Sequence, residues 1–247
     1  DTVPSLAARV KHALGIKNNF CVAYDLLFGC PGWIEGVIQA NSFIKSGIAS
    51  RCLVIGAETL SRVVDIHDRD SMIYADGAGA VVIESCSSGE GILSHLSASH
   101  THKEMDYLFF GKSYNKQSSG ETRYLKMNGR RIYEFAIVNV PAAMKKCYDD
   151  SGCSIDKLSK IIIHQANEKM DEEIVKRFYA LYDREVPADI MPMVIGKLGN
   201  SSVATIPTLL SMILDNELEN HEISVGDIVL FASVGAGMNI NAMVYRF

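Results

Sequence analysis

Lys160-Ile161-Ile162-Ile163-His164-Gln165-Ala166-Asn167 is the stretch on which the reading of this chain turns. The apolar run reads as a buried strand that feeds directly into a polar cluster. Lys169 to Leu181 follows with helical spacing. A polar cluster at the C-terminal end of a strand is where α/β proteins place ligands. His164 is therefore a candidate site residue, with a satisfied core or surface histidine as the alternative.

The same grammar recurs upstream. Cys21 to Leu27 is a short, mostly apolar run suited to a buried strand, and Gly29-Cys30-Pro31-Gly32 is a tight turn. A helical pattern continues to Ile44 and stops at Ser46-Gly47. Arg51 to Ile55 reads as another buried strand, and Gly77 to Glu84 as a further one. Before them, Pro4 to Leu14 reads as a helix with Leu6, Val10 and Leu14 on one face and Gly15 as its stop. The opening Asp1-Thr2-Val3-Pro4-Ser5 looks like a helix cap entered in mid-domain.

Downstream of the turn-rich Ser85 to Gly91, a strand is expected at Gly91 to Ser97, then an irregular region to Tyr124. A long helix covers about Gly129 to Tyr148. Gly199-Asn200-Ser201-Ser202 opens a helix ending near Leu218. Asp227 to Ala232 and Asn239 to Phe247 are the last strands, joined through Gly235-Ala236-Gly237. This alternation predicts an α/β protein with a mainly parallel sheet and a duplicated unit. The first half lacks counterparts of the second half's opening strand and long helix, so the chain is expected to be incomplete at its N-terminus.

Composition narrows the class. The chain has 247 residues, 48% hydrophobic and 21% charged, with a net charge of −5. That suits an ordinary globular protein and argues against a general nucleic-acid binder. There are six cysteines, and no CxxC pair occurs. Cys21, Cys52 and Cys86 lie in or beside apolar runs, and Cys147 and Cys153 flank a turn as free thiols. A reducing, cytoplasmic setting is expected. No apolar run approaches the roughly 18–20 residues of a membrane span, and no signal segment opens the chain.

Three residues occupy strand-to-helix junctions or turns. A helix N-terminus lowers a thiol pKa, so Cys30 is a candidate nucleophile, with a structural cysteine as the alternative. Asn200 sits in a turn that is equally a plain helix cap. His100-Thr101-His102 lacks a third metal ligand, and no spacing rule supports a metal at His67, Asp68 and Asp70. Gly77-Ala78-Gly79 does not open a helix and is no dinucleotide fingerprint.

Taken together, Gly29-Cys30-Pro31-Gly32-Trp33, Asp76-Gly77-Ala78-Gly79-Ala80, His164-Gln165-Ala166-Asn167 and Gly199-Asn200-Ser201-Ser202-Val203-Ala204-Thr205-Ile206-Pro207 resemble the ketoacyl-carrier-protein synthase III family over essentially the whole chain. The resemblance implies a thiolase-like α/β fold: two duplicated halves with mixed five-stranded sheets in α-β-α-β-α layers, the first half incomplete. Residues 1–85 would be the remainder of the half carrying the nucleophile, and 91–247 the half carrying His164 and Asn200. It implies a condensing acyltransferase. Acyl-coenzyme A acylates Cys30, and a decarboxylative Claisen condensation with malonyl-acyl-carrier-protein, served by His164 and Asn200, gives a 3-ketoacyl thioester. The oxyanion hole would be the N–H groups of Cys30 and Ala236. Arg69 would contact coenzyme A, and Lys169 and Lys176 would dock the carrier protein. No metal or cofactor is implied, and a homodimer is. Trp33 departs from the family pattern and is expected to narrow the acyl pocket; Asn239-Ile240-Asn241 departs too, which leaves the acyl chain open. The alternatives are a related enzyme of specialised metabolism, acyl transfer without decarboxylation, or an inactive assembly subunit.

Overall fold

The computed structural model describes residues 3–86, 89–117 and 120–247. Its elements in chain order are α1 (Leu6–Ala13), α2 (Gly32–Lys45), β1 (Arg51–Thr59), β2 (Asp76–Glu84), β3 (Gly91–Ser99), β4 (Leu108–Gly111) and β5 (Tyr124–Met127). Then come α3 (Gly129–Asp150), β6 (Leu158–Ile163), α4 (Glu168–Ala180), α5 (Ile195–Leu198), α6 (Thr205–Leu214), β7 (Ile228–Gly235) and β8 (Asn239–Arg246).

Strands β3, β8, β7 and β6 form a four-stranded sheet in that order. Only β6 and β7 run parallel, while β7–β8 and β3–β8 are antiparallel. The expected mainly parallel sheet is thus a mixed one, because β7 and β8 are joined by a tight turn rather than a helical crossover. Among the described residues this sheet has four strands rather than the five expected. The segment before Ile190 lies along the free edge of β6, but its one backbone bond is Ile161 N–H to Ile190 O at 2.8 Å. Asp189 beside it has φ 54°, which breaks an extended run.

Two cores cover the two faces of this sheet. On one face α3 and α4 bury Phe135, Met144, Tyr148, Ile174 and Phe178 against Ile161, Ile163, Leu230 and Ala232. On the other, α2 and α6 bury Ile34, Val37, Leu209 and Ile213 against Ile162, Val229 and Phe231. The alternation along β6 and β7 sends successive side chains to opposite cores, which is why both strands read as continuous apolar runs.

The antiparallel pair β1–β2 lies on the far side of α2 and α6. Gly56 permits this approach: a Cβ there would lie 2.5 Å from the Val203 carbonyl oxygen. The described layers are therefore α-β-α-β, without the outer helical layer expected, since α1 buries no residue. β1 and β2 alternate between exposed and half-buried rather than being buried strands. The run Cys21 to Leu27 is not a strand. It pairs with no described strand and leaves Leu27 wholly exposed. The boundary expected at Ser85 to Gly91 includes Ser87 and Ser88, and the expected opening cap includes Asp1 and Thr2; these four lie outside the described residues.

The region read as irregular before Tyr124 contains an antiparallel hairpin, β4–β5. Leu108 faces Met127 and Phe110 faces Leu125, so one hairpin face is apolar. Lys126 points the other way, where its Nζ lies 2.6 Å from Asp65 and 3.0 Å from Asp68, all three side chains nearly buried. Asp65 also accepts the Tyr114 N–H at 2.7 Å and the Ser113 hydroxyl at 3.0 Å. This buried cluster fixes the hairpin to the loop after β1. Buried ion pairs of this kind specify geometry more than they stabilise.

Candidate active site

Three chain turns converge at one end of the sheet. Cys30 lies just before α2, whose first turn has no side-chain cap, so its free N–H groups and dipole favour a thiolate. His164 follows β6, and its own N–H is fixed to the Ala232 carbonyl at 2.9 Å. Asn200 follows α5 and is held by backbone bonds to Ile73 O (2.8 Å) and from Ala75 N–H (2.9 Å). Its Oδ1 accepts the Ser202 N–H at 2.8 Å, which leaves the Nδ2 amide as the donor available to the pocket.

The imidazole of His164 is a hydrogen-bond partner of the Cys30 thiol. Its Nδ1 is buried without a partner, which leaves Nε2 as the nitrogen available to the pocket. The Ser202 hydroxyl also points to Cys30 Sγ, at 3.4 Å. Burial raises the thiol pKa, but the charge and hydrogen bond of His164, with the Ser202 hydroxyl, outweigh it and leave it lowered. Burial likewise depresses His164, and the facing Cys30 and Asp171 raise it above its ordinary value. Both shifts favour the charged pair, a thiolate beside an imidazolium, over the neutral one.

Gly235 brings the β7–β8 turn onto the nucleophile. A Cβ at Gly235 would lie 2.9 Å from the Cys30 nitrogen and 2.7 Å from Pro31 Cδ, so no side chain fits. A Cβ at Gly29 would in turn lie 3.2 Å from the Ala236 nitrogen. The turn is braced by Asn239 Nδ2, which donates to Ala236 O at 2.7 Å. The backbones of Cys30 and Ala236 therefore lie close to one another.

These groups open into a pocket of 790 Å³. Its wall comes from Leu60, Ile73, Leu108, Phe110, Leu125 and Met127, largely the hairpin and the loop it is fixed to. Tyr74 adds a hydroxyl that donates to Met127 Sδ at 3.5 Å.

The remaining candidates are more scattered. Trp33 does not line the pocket; it is buried in the core between α2 and the sheet, 6.0 Å from the Phe231 ring. The helix rotates it away from Cys30, because Gly32 starts α2 and Trp33 falls on its sheet-facing side. Asn241 is also outside the pocket, donating instead to Glu35 and Ser97, whereas Asn239 lines it. Arg69 is exposed, next to Asp70 at the pocket wall. Lys169 and Lys176 are both exposed on α4, and Lys169 adjoins Met170, which lines the pocket. Among the described residues no group of three or more His, Cys, Asp or Glu side chains is placed to hold a metal ion. No described helix is long and apolar enough to cross a membrane.

Three contributors were not singled out from the sequence. Ser202 lay inside a quoted motif, read only as part of a turn. Tyr74 had no local signal. Asp171 did: it falls with Ile174, Val175 and Phe178 on the apolar stripe of α4, where a carboxyl is out of place.

A thiol with a lowered pKa, a histidine and an amide donor in one largely apolar pocket suit an acyl-transferring site. The comparisons agree with that class. Residues 24–100 match the family model for 3-oxoacyl-[acyl-carrier-protein] synthase III, and residues 148–247 match the model for its C-terminal part. The beta-ketoacyl-[acyl-carrier-protein] synthase III of Erythrobacter litoralis is 32% identical over 252 residues, covering 100% of this chain and 74% of the relative. That of Streptococcus gordonii is 33% identical, covering 98% and 72%. The solved structure of the Thermus thermophilus synthase III superposes with a TM-score of 0.86 at 30% identity, over 100% of this chain and 74% of that one. The chain belongs to the beta-ketoacyl-[acyl-carrier-protein] synthase III family of thiolase-fold condensing enzymes.

Proposed function

We propose that the chain condenses an acyl-coenzyme A with malonyl-acyl-carrier-protein, the step that starts a fatty-acid chain. The observation that carries this reading is the Cys30–His164 pair with Asn200 beside it in one apolar pocket. The Cys30 thiolate attacks the thioester carbon, and the oxyanion is held by the N–H groups of Cys30 and Ala236. The C–S bond to coenzyme A breaks and its thiolate takes a proton from solvent, while the imidazolium, no longer facing a thiolate, releases its Nδ1 proton to solvent. His164 is then neutral and presents Nε2–H.

The malonyl thioester next loses CO₂, and the electron pair becomes an enolate with its charge on the thioester oxygen. Nε2–H of His164 and Nδ2–H of Asn200 hold that oxygen; such preorganised donors act where charge develops. The enolate carbon attacks acyl-Cys30, the C–S bond breaks, and a thiolate returns at Cys30. A proton from solvent restores the imidazolium. The chemistry needs no resident cofactor.

Exposed Lys169 and Lys176 on α4 support carrier-protein docking there, and exposed Arg69 supports contact with coenzyme A. Residues 1–85 and 91–247 form the two halves. Exposed Leu53, Ile55 and Val82 on β1–β2 support a homodimer, and the free cysteines a cytoplasmic setting. The test supplies acyl-coenzyme A and malonyl-acyl-carrier-protein together. One 3-ketoacyl-carrier-protein and one CO₂ are expected per acyl group consumed. Acyl transfer with no CO₂ released would overturn the condensing reading.

A further inference from the structure

One buried carboxyl is used by no step above. Asp171 lies in the first turn of α4 and is wholly buried. It is not the helix cap, since Asn167 Oδ1 already accepts the Met170 N–H at 3.2 Å. Among the described residues no Lys or Arg pairs with it, and neither carboxyl oxygen has a well-formed hydrogen bond. Nδ1 of His164 is likewise buried without a partner, as are Tyr179 OH on the same helix and Ser233 Oγ on β7. The Asp171 and His164 side chains lie close enough for each to act on the other's charge. A buried polar atom without a partner is costly, and an enclosed water with polar partners is one way such atoms are satisfied.

We propose that Asp171 is a positioning residue for His164: through one enclosed water its carboxyl serves Nδ1 and so keeps Nε2 turned to Cys30 and the substrate. This rests on the role of His164 given above. The reaction makes opposite demands on Nδ1. In the imidazolium Nδ1 carries a proton and needs an acceptor. In the neutral form with Nε2–H it is bare and needs a donor. The water can itself donate or accept, so the two states of Asp171 differ in charge: a neutral carboxyl leaves Nδ1 free to take either form, whereas a carboxylate favours a proton on Nδ1.

The surroundings favour the acid form. Burial pushes Asp171 up to about 8, against the pull of His164 and of the backbone N–H groups of Asn167 and Ala166; Glu168 on the same helix pushes the same way as burial. The titratable groups acting on His164 are Cys30 from the turn before α2 and Asp171. As pH rises past 8, Asp171 becomes a carboxylate. It then holds the proton on Nδ1, neutral His164 loses Nε2–H, and the enolate loses a donor. Condensation therefore declines on the alkaline side through this group.

The test measures kcat and KM against pH for the full chain, Asp171→Asn, Asp171→Leu and His164→Ala. The amide of Asn is neutral and does not titrate. Asp171→Asn is expected to keep kcat within about 3-fold near neutrality and to lose the alkaline limb near pH 8. Asp171→Leu, which suits a core position, is expected to lower kcat about 10–100-fold, as loss of an outer partner of a site histidine typically does, with KM for acyl-coenzyme A little changed. If the Leu variant does not fold, the alkaline limb of the Asn variant decides alone. A persisting limb in Asp171→Asn, or a Leu variant as active as the parent, overturns the proposal while a damaged His164→Ala leaves the site reading intact. A fully active His164→Ala overturns both.

Discussion

Cys30→Ala is expected to abolish condensation, with kcat falling on the order of 10⁴–10⁶, the range seen when a covalent nucleophile is removed. The loss should be selective. His164 is held by the Ala232 carbonyl and Asn200 by the Ile73 and Ala75 backbone, and none of these bonds involves the thiol. The two donors stay in place, so malonyl-acyl-carrier-protein still loses CO₂ in the variant, now uncoupled from carbon–carbon bond formation. Measuring CO₂ and 3-ketoacyl product separately distinguishes this from unfolding. A variant that loses both in step would place Cys30 in the decarboxylation itself.

The second large effect concerns Asn200. Removing one preorganised donor to a developing oxyanion costs about 10²–10³ in rate, and Asn200→Ala is expected to lower condensation by that factor. Acylation of Cys30 should change only a few-fold. The residual loss arises because Oδ1 of Asn200 anchors the Ser202 N–H, and the Ser202 hydroxyl donates to the sulfur. Asn200→Asp separates the two functions. It keeps an acceptor for Ser202 but replaces the donor with a negative charge facing the enolate, so acylation survives and condensation falls at least as far as in the alanine variant. Rapid-quench acylation rates beside steady-state condensation rates test this. Equal losses in both steps would overturn the division of labour.

What the sequence disclosed depended on whether burial was two-sided. The runs ending at Ile163 and Ala232 lie between two helical layers and were legible as strands from apolarity alone. Cys21 to Leu27 has the same apolar look, but an apolar run needs a partner strand to become one, and the described chain offers none. The parallel reading failed because strand direction depends on connections. β1 and β2 are linked by a loop with two short 3-10 turns rather than by a packed helix, and they pair antiparallel.

The site was legible in part for a similar reason. Cys30, His164 and Asn200 stand at turns that local sequence marks, and the fold brings all three to one pocket. Trp33 follows Cys30 closely, yet α2 turns it into the core, since neighbouring helical residues point in different directions. The pocket wall was not legible. Leu108, Phe110, Leu125 and Met127 belong to strands of four residues each, whose placement depends on Lys126 meeting Asp65 and Asp68 some sixty positions away. Asp171 is hard to single out because Glu168, Glu172 and Glu173 surround it in sequence, although of these it alone is buried.

The most direct test of the central claim is an intact-mass measurement after incubation with a short acyl-coenzyme A, followed by peptide mapping. One acyl group is expected per chain, on the peptide containing Cys30, and none in Cys30→Ala. An acyl group on Cys21, Cys52 or any other residue, or no added mass at all, would contradict the assignment of Cys30 as the acyl-carrying nucleophile.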